Sequence, residues 1–293
     1  MREVNVTQLN KELLDDLIWL QKIPGCTNLG RYQGIKDRLE EIERNYDAST
    51  NRLTADAAEK DLLLSSLEAY ELHDVIQFLR KQPSHSLPIK SLQRLLNGPE
   101  YHLDEEPKFG GSEGRDIQFE LSLGSRIADS GLQVIDYDDV VVNVDGIKVG
   151  FQCKRPAYLK TLKQAFEKAV SQLESRISSG RNDYGFVAIC LDKVCELDKV
   201  LFRGEDHEQV TERLILERNK ISHFLRANRK LASSKRIIGV ILNIKGLFFN
   251  QKIGRFSPVS AIFTERTEQE GPAGEFDRLF SLIATQMKTG SPD

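Results

Sequence analysis

"DDVVVNVDGIKVGFQCKRP", residues Asp138–Pro156, decides how the second half of this chain folds. Asp-Gly is a strong short hairpin signal, because a type I′ turn needs positive φ at both central residues and this pair accepts it at Asp145-Gly146. The valine-rich runs on either side suit strands. Side chains alternate along a strand, so Val149, Phe151 and Cys153 take one face of the second strand, and Gln152 and Lys154 take the other. On the first strand Asp139 shares a face with Val141 and Asn143, and the turn brings that end towards Gln152 and Lys154. One face of the hairpin is therefore a core, while the other gathers a carboxylate, an amide oxygen and an ammonium.

Outward from the hairpin, helical and extended patterns alternate. A helix over 112–130 ends at Gly131, a natural residue for the left-handed position after a helix. Another spans Leu159 to Ser178, followed by the strand "YGFVAICL", a helix across "EQVTERLILERNKISHFLRANRK" and the strand "RIIGVILNIK". A last strand, "PVSAIFTE", and the amphipathic "EFDRLFSLIATQMK" complete the set. Strands separated by helices predict an α/β domain with a mixed sheet flanked by helices.

The first hundred residues read differently. "TQLNKELLDDLIWLQKI", with Thr7 as its cap, "GRYQGIKDRLEEIERNYDA" and the pattern from Thr54 to Arg80 are helical. In the last of these Leu62, Leu63, Leu67, Tyr70 and Val75 recur at helical steps. A short helix around "SLQRLLN" precedes "GPEYHLDEEPKFGGSEG", whose proline, glycines and acids mark a linker. The division is then an all-helical domain over 1–106, for dimerisation or partner docking, and a second domain over 107–293.

At 293 residues, 40% hydrophobic and 29% charged, the composition is that of a soluble globular protein. "IIGVILNI" is far shorter than the roughly 20 apolar residues of a membrane span. The N-terminus lacks the apolar stretch of a secretory signal. Cys26, Cys153, Cys190 and Cys195 have neither zinc-site spacing nor the density of a disulfide scaffold, so reduced thiols in a cytoplasmic protein are expected. The net charge of −3 hides a division. Residues 1–106 hold 13 Lys and Arg against 19 Asp and Glu, whereas 148–181 hold eight basic residues against Glu167 and Glu174. Arg155, Lys160, Lys163 and Lys168 follow the hairpin directly and form a candidate surface for the phosphate backbone. No Walker loop is present, and the five scattered histidines make no metal-binding pattern.

The hairpin's polar face holds what phosphodiester hydrolysis needs. Carboxylate and amide oxygens suit magnesium, which activates water and offsets phosphate charge, and a lysine stabilises the charged transition state. Asp139, Gln152 and Lys154 in this order resemble the D…(E/Q)xK signature of the PD-(D/E)xK nuclease superfamily, and "FQCKRP" resembles the QxK variant of Mrr-type restriction endonucleases. The resemblance covers roughly residues 112–195. It implies a restriction-endonuclease-like domain, a metal held by Glu120 of the preceding helix with Asp139 and Gln152, and Lys154 at the scissile phosphate. Gln172, in "FEKAVSQLE", matches an auxiliary helical position. Tyr137 and Asp138 stand where the superfamily has its proline, which makes Asp138 a rival to Asp139, and Gln152 replaces the commoner glutamate.

The expected function is a Mg2+-dependent nuclease, Mn2+ being an alternative ion, that acts on DNA in preference to RNA in defence against foreign DNA or in repair. A homodimer and an ATPase or helicase partner are the associations left open. The competing reading is a catalytically inactive nuclease fold that binds nucleic acid or a partner protein.

Overall fold

The computed structural model describes residues 5–47, 52–53, 57–82, 86–97, 113–137, 140–195, 201–204, 207–227, 236–250, 255–266 and 273–289. Among these the chain is α/β, with eight helices and a mixed sheet. It forms two compact units, one of 1–118 with 196–210 and 246–259, the other of 119–195, 211–245 and 260–293. The boundary read at residue 107 lies in 98–112, outside the described residues.

The first unit is built on α1 (Val6–Leu20), α2 (Arg31–Asn45) and α3 (Ala57–Leu79), each packed on the other two, with the short α4 (Ile89–Leu95). In α1, Leu9, Leu13, Leu17 and Leu20 recur on one face and are buried. Each such side chain contributes roughly 1.5–3 kcal/mol through burial. The cap of α1 is Asn5, whose side chain accepts the Gln8 N–H at 2.8 Å, and not Thr7. A free side-chain oxygen two residues earlier reaches the orphan donors first. Leu62, Tyr70 and Val75 of α3 are buried, as their spacing predicts, Leu67 is half-buried, and the side chain of Leu63 lies outside those described. His73 lies with Nδ1 2.7 Å from Oδ2 of the buried Asp16. The reading of 1–106 as all-helical needs correction: β1 (Tyr46–Asp47) pairs antiparallel with β2 (Arg52–Leu53). Two-residue strands are too short to display a period of two. This unit also contains the pairing of β7 (Leu201–Gly204) with the end of β8 (Ile237–Asn250).

Glu68, on α3, is the centre of a buried ionic network in the first unit. Its Oε2 accepts from Arg31 Nη1 at 2.8 Å and its Oε1 from Arg115 Nε at 2.6 Å. Arg31 also donates to the Leu95 carbonyl, the Tyr32 hydroxyl and Gln118 Oε1. Burial in this setting raises the Tyr32 pKa.

The second unit is built around the hairpin. α5 (Glu113–Asp129) leads through Gly131, at φ +92°, into β3 (Gln133–Asp136), β4 (Val141–Val144) and β5 (Ile147–Lys154). The Gly131 N–H donates to Ala128 O and the Leu132 N–H to Ile127 O, which closes α5 with a Schellman motif. β3, β4 and β5 are antiparallel neighbours. α6 (Leu159–Ser178) then crosses to β6 (Tyr184–Cys190), parallel to β5, and β6 pairs parallel with β8. β9 (Arg255–Arg266) pairs with β8, and α7 (His207–Ala227) and α8 (Ala273–Thr289) complete the elements. β6 and residues 237–242 of β8 are apolar because both of their faces are covered.

Two layers cover this sheet. Phe119, Leu123 and Ile127 of α5, with Leu279 and Ile283 of α8, join Val149, Phe151, Cys153, Phe186 and Ala188 in one core. Phe151 stacks on Phe186 with ring centroids 5.4 Å apart. α6 packs on β5 and β6, burying Leu162, Phe166, Ala169, Val170, Leu173 and Ile177. It sits on the opposite face. A Cβ at Gly185 would lie 2.8 Å from Leu173 Cδ2, and one at the paired Gly150 would lie 2.0 Å from Asn182 Nδ2.

Candidate functional site

The turn forms as its sequence dictates. Asp145 and Gly146 have φ of +52° and +87°, Val144 faces Ile147, and the Gly146 N–H donates to Asn143 Oδ1 at 2.8 Å. The register Val141↔Gly150 continues into a bond from the Phe151 N–H to Val140 O at 2.9 Å. Val140 has φ +28°, a rare conformation for a β-branched residue, and its side chain is buried in the core. Asp138 and Asp139, the rival carboxylates, lie outside the described residues. The chain leading to them is anchored at Tyr137, whose ring packs where Gly124 of α5 has no side chain: a Cβ there would lie 3.2 Å from Tyr137 Cδ1. Burial, then the Asp129 carboxylate, pushes the Tyr137 hydroxyl up to about 12.

The strand β5 separates its side chains as alternation requires. Phe151 and Cys153 enter the core beneath α5 and α8, so Gly150, Gln152 and Lys154 fall on the face covered by α6. Gln152 is 5% exposed, and its Oε1 is buried with no hydrogen-bond partner from the protein. Lys154 closes the strand, half-buried, opposite Ile189 of β6. Gln172, on α6, also has a buried Oε1 with no protein donor. Buried amide oxygens normally find a donor, and each one left without costs about 1–3 kcal/mol. A hard cation or a donor from a ligand fits such an oxygen.

Glu120 is half-buried on α5, next to the core residue Phe119, so it is carried by the helix on the other face of the sheet from Gln152. No group of three or more His, Cys, Asp or Glu side chains comes together among the described residues.

The basic residues after the strand divide by burial. Arg155 is half-buried, whereas Lys160, Lys163 and Lys168 are exposed on the side of α6 away from its apolar stripe. Lys163 Nζ lies 3.9 Å from Glu167, and Lys160 Nζ lies 5.4 Å from the centroid of the Tyr158 ring.

One polar cluster escaped the sequence reading. Just past the end of β6, beside the middle of β8, the Oδ1 of Asp192 accepts the Lys245 N–H at 2.7 Å and its Oδ2 lies 3.0 Å from Cys190 Sγ. Lys245 Nζ reaches Ser122 Oγ at 3.4 Å. Asn243 is fully buried, with neither polar atom of its side chain hydrogen-bonded. Its signal is the polar "NIK" interrupting an apolar strand, which sequence alone does not separate from an ordinary strand end. Comparison with protein families, with curated proteins and with solved structures finds no match to this chain.

Proposed function

We propose that this protein is a metal-dependent nuclease that hydrolyses phosphodiester bonds of DNA. The observation that carries the reading is Gln152: a buried amide oxygen without a protein donor, on the same face of β5 as Lys154 and at the end of a hairpin entered through Asp138-Asp139. The order α5-β3-β4-β5-α6-β6, with an antiparallel trio followed by a parallel strand, supports a restriction-endonuclease-like domain of the PD-(D/E)xK type.

In this reading Gln152 and Asp139, with Asp138 as the alternative carboxylate, would hold Mg2+ or Mn2+, with Glu120 a candidate third ligand carried by α5 from the other face of the sheet. The ion, when bound, supplies a lowered water pKa and charge compensation at phosphate. Lys154 donates to a non-bridging phosphate oxygen, where negative charge grows in the transition state. Gln172 orients the site from α6, and Arg155, Lys160, Lys163 and Lys168 hold the DNA backbone without reading its sequence. Hydrolysis of foreign or damaged DNA is the setting, with a homodimer or a partner ATPase or helicase recruited through the first hundred residues. Among the described residues no helix is long and apolar enough to cross a membrane. Four free cysteines, three of them buried, support a reducing, cytoplasmic location.

The second reading, an inactive nuclease fold that binds nucleic acid or a partner protein, is favoured by one observation: residue 152 is a neutral amide, which gives a cation less charge than the usual carboxylate would. Titrating Mg2+ and Mn2+ against purified protein and plasmid DNA separates the two. Nicking or linearisation that rises with metal and stops with chelator supports the nuclease. Retained DNA binding with no cleavage at any concentration of either ion supports the binding module.

A further inference from the structure

Gln152 and Lys154 concern the metal and the scissile phosphate, but the start of α6 presents a different surface. Tyr158 is 53% exposed and Leu159 is 51% exposed, in a segment whose neighbours are cationic. We propose that Tyr158 and Leu159 form a stacking platform for unpaired bases, which makes single-stranded or frayed DNA the preferred substrate form. The inference rests on the reading of DNA as the substrate.

Three observations carry it. The Tyr158 backbone is fixed: its N–H donates to Thr161 Oγ1 at 3.3 Å and its carbonyl accepts from the Thr161 hydroxyl at 2.8 Å. A ring on a restrained backbone loses little entropy when it engages a base. Lys160 Nζ lies over the Tyr158 ring, 5.4 Å from its centroid, so a cation already accompanies the aromatic surface. Finally, Lys163 and Lys168 continue along the exposed side of α6, and residues 148–181 hold eight basic residues against two acidic ones. Cations alone would serve a duplex, whose bases are stacked inside. An exposed aromatic ring beside an exposed leucine adds apolar area that only splayed bases use. Charge complementarity selects a polyanion, and the ring selects its unpaired form.

The test is fluorescence anisotropy with labelled oligothymidine and with a duplex of the same length, in chelator so that nothing is cut. The full-length protein should bind the single strand more tightly. Tyr158→Ala should weaken single-strand binding about tenfold and duplex binding less than twofold, while Tyr158→Phe and Tyr158→Trp keep it. An alanine variant within twofold of wild type on the single strand, or equally weakened on both forms, overturns the proposal. So does a wild type that binds neither form. Cleavage measured separately with metal distinguishes the two readings: single-strand binding through Tyr158 without cutting removes the nuclease and leaves the platform. Cutting that is indifferent to Tyr158→Ala on single strands removes the platform and leaves the nuclease.

Discussion

Glu68 in the first unit and Gln152 in the second are equally buried, each 5% exposed, yet they are treated in opposite ways. Both oxygens of Glu68 are taken by arginines, Arg31 and Arg115, at 2.8 and 2.6 Å. The Gln152 oxygen is taken by no protein group. Burying a polar atom costs free energy that only a partner recovers. A polar residue kept for the fold brings its partners with it, as Glu68 does. One left without partners by the protein is where a ligand is to be sought, and this is why Gln152 carries the proposal above while Glu68 carries none.

The comparison breaks first at Glu68. Glu68→Leu removes the carboxylate shared by two buried guanidinium groups and is expected to destabilise the protein by about 3–5 kcal/mol in urea unfolding. A loss under about 1 kcal/mol would mean that the network is not held as tightly as its distances imply. At the other site the expected effect is on activity. Lys154→Ala and Asp139→Ala should each lower plasmid cleavage by roughly 10²–10³-fold or abolish it, with the melting temperature little changed. Full activity in either variant sinks the site, and an inactive Asp138→Ala beside an active Asp139→Ala would move the ligand by one residue.

Gln152 itself sharpens the contrast, because function and stability should part there. Gln152→Leu removes an unpartnered amide, so stability is expected to hold or rise by up to about 1 kcal/mol while the metal requirement for cleavage climbs steeply. Gln152→Glu should keep cleavage and lower the melting temperature in chelator, with added Mg2+ restoring it. If Gln152→Leu instead cuts normally at limiting magnesium, the orphan oxygen is not a ligand. A smaller effect is expected on α6: replacing Lys160, Lys163 and Lys168 by alanine should reduce the salt slope of DNA binding by roughly 2–3. An unchanged slope would return these lysines to the role of solvated surface.

The smallest expected effect is on alkaline stability. Burial, followed by the Glu217 and Asp192 carboxylates and opposed by Lys220, raises the Cys195 thiol from 9 to about 12. Tyr137 is raised from 10 to about 12. Both groups are neutral when protonated, so the fold holds their protons more tightly than the unfolded chain does. Their contribution is complete below pH 9 and is lost as pH rises towards 12. Cys195→Ala should flatten the fall of melting temperature across that window, and an identical fall in the variant would show that the thiol plays no part.

Much of this architecture could be read directly from residue order. The Asp145-Gly146 turn, the limits of α6 and the two faces of β5 follow from φ preference and alternation, which are local properties. β3 was missed because three of its four residues are exposed, so no apolar alternation betrays it. The candidate site was legible only in part: spacing puts Gln152 and Lys154 on one face, but nothing in the sequence says that the amide is buried or lacks a donor.

What the sequence determined by itself is therefore local: the helices and the longer strands, and which side chains share a face. The tertiary structure decided what each face meets. It set α6 over Gln152 and α5 over Cys153, brought Asp192, beyond the end of β6, to Lys245 of β8, and drew 196–210 and 246–259 into the same compact unit as the N-terminal helices. Periodicity is a property of neighbours along the chain, whereas burial and hydrogen-bond satisfaction depend on partners many residues away that only packing brings together.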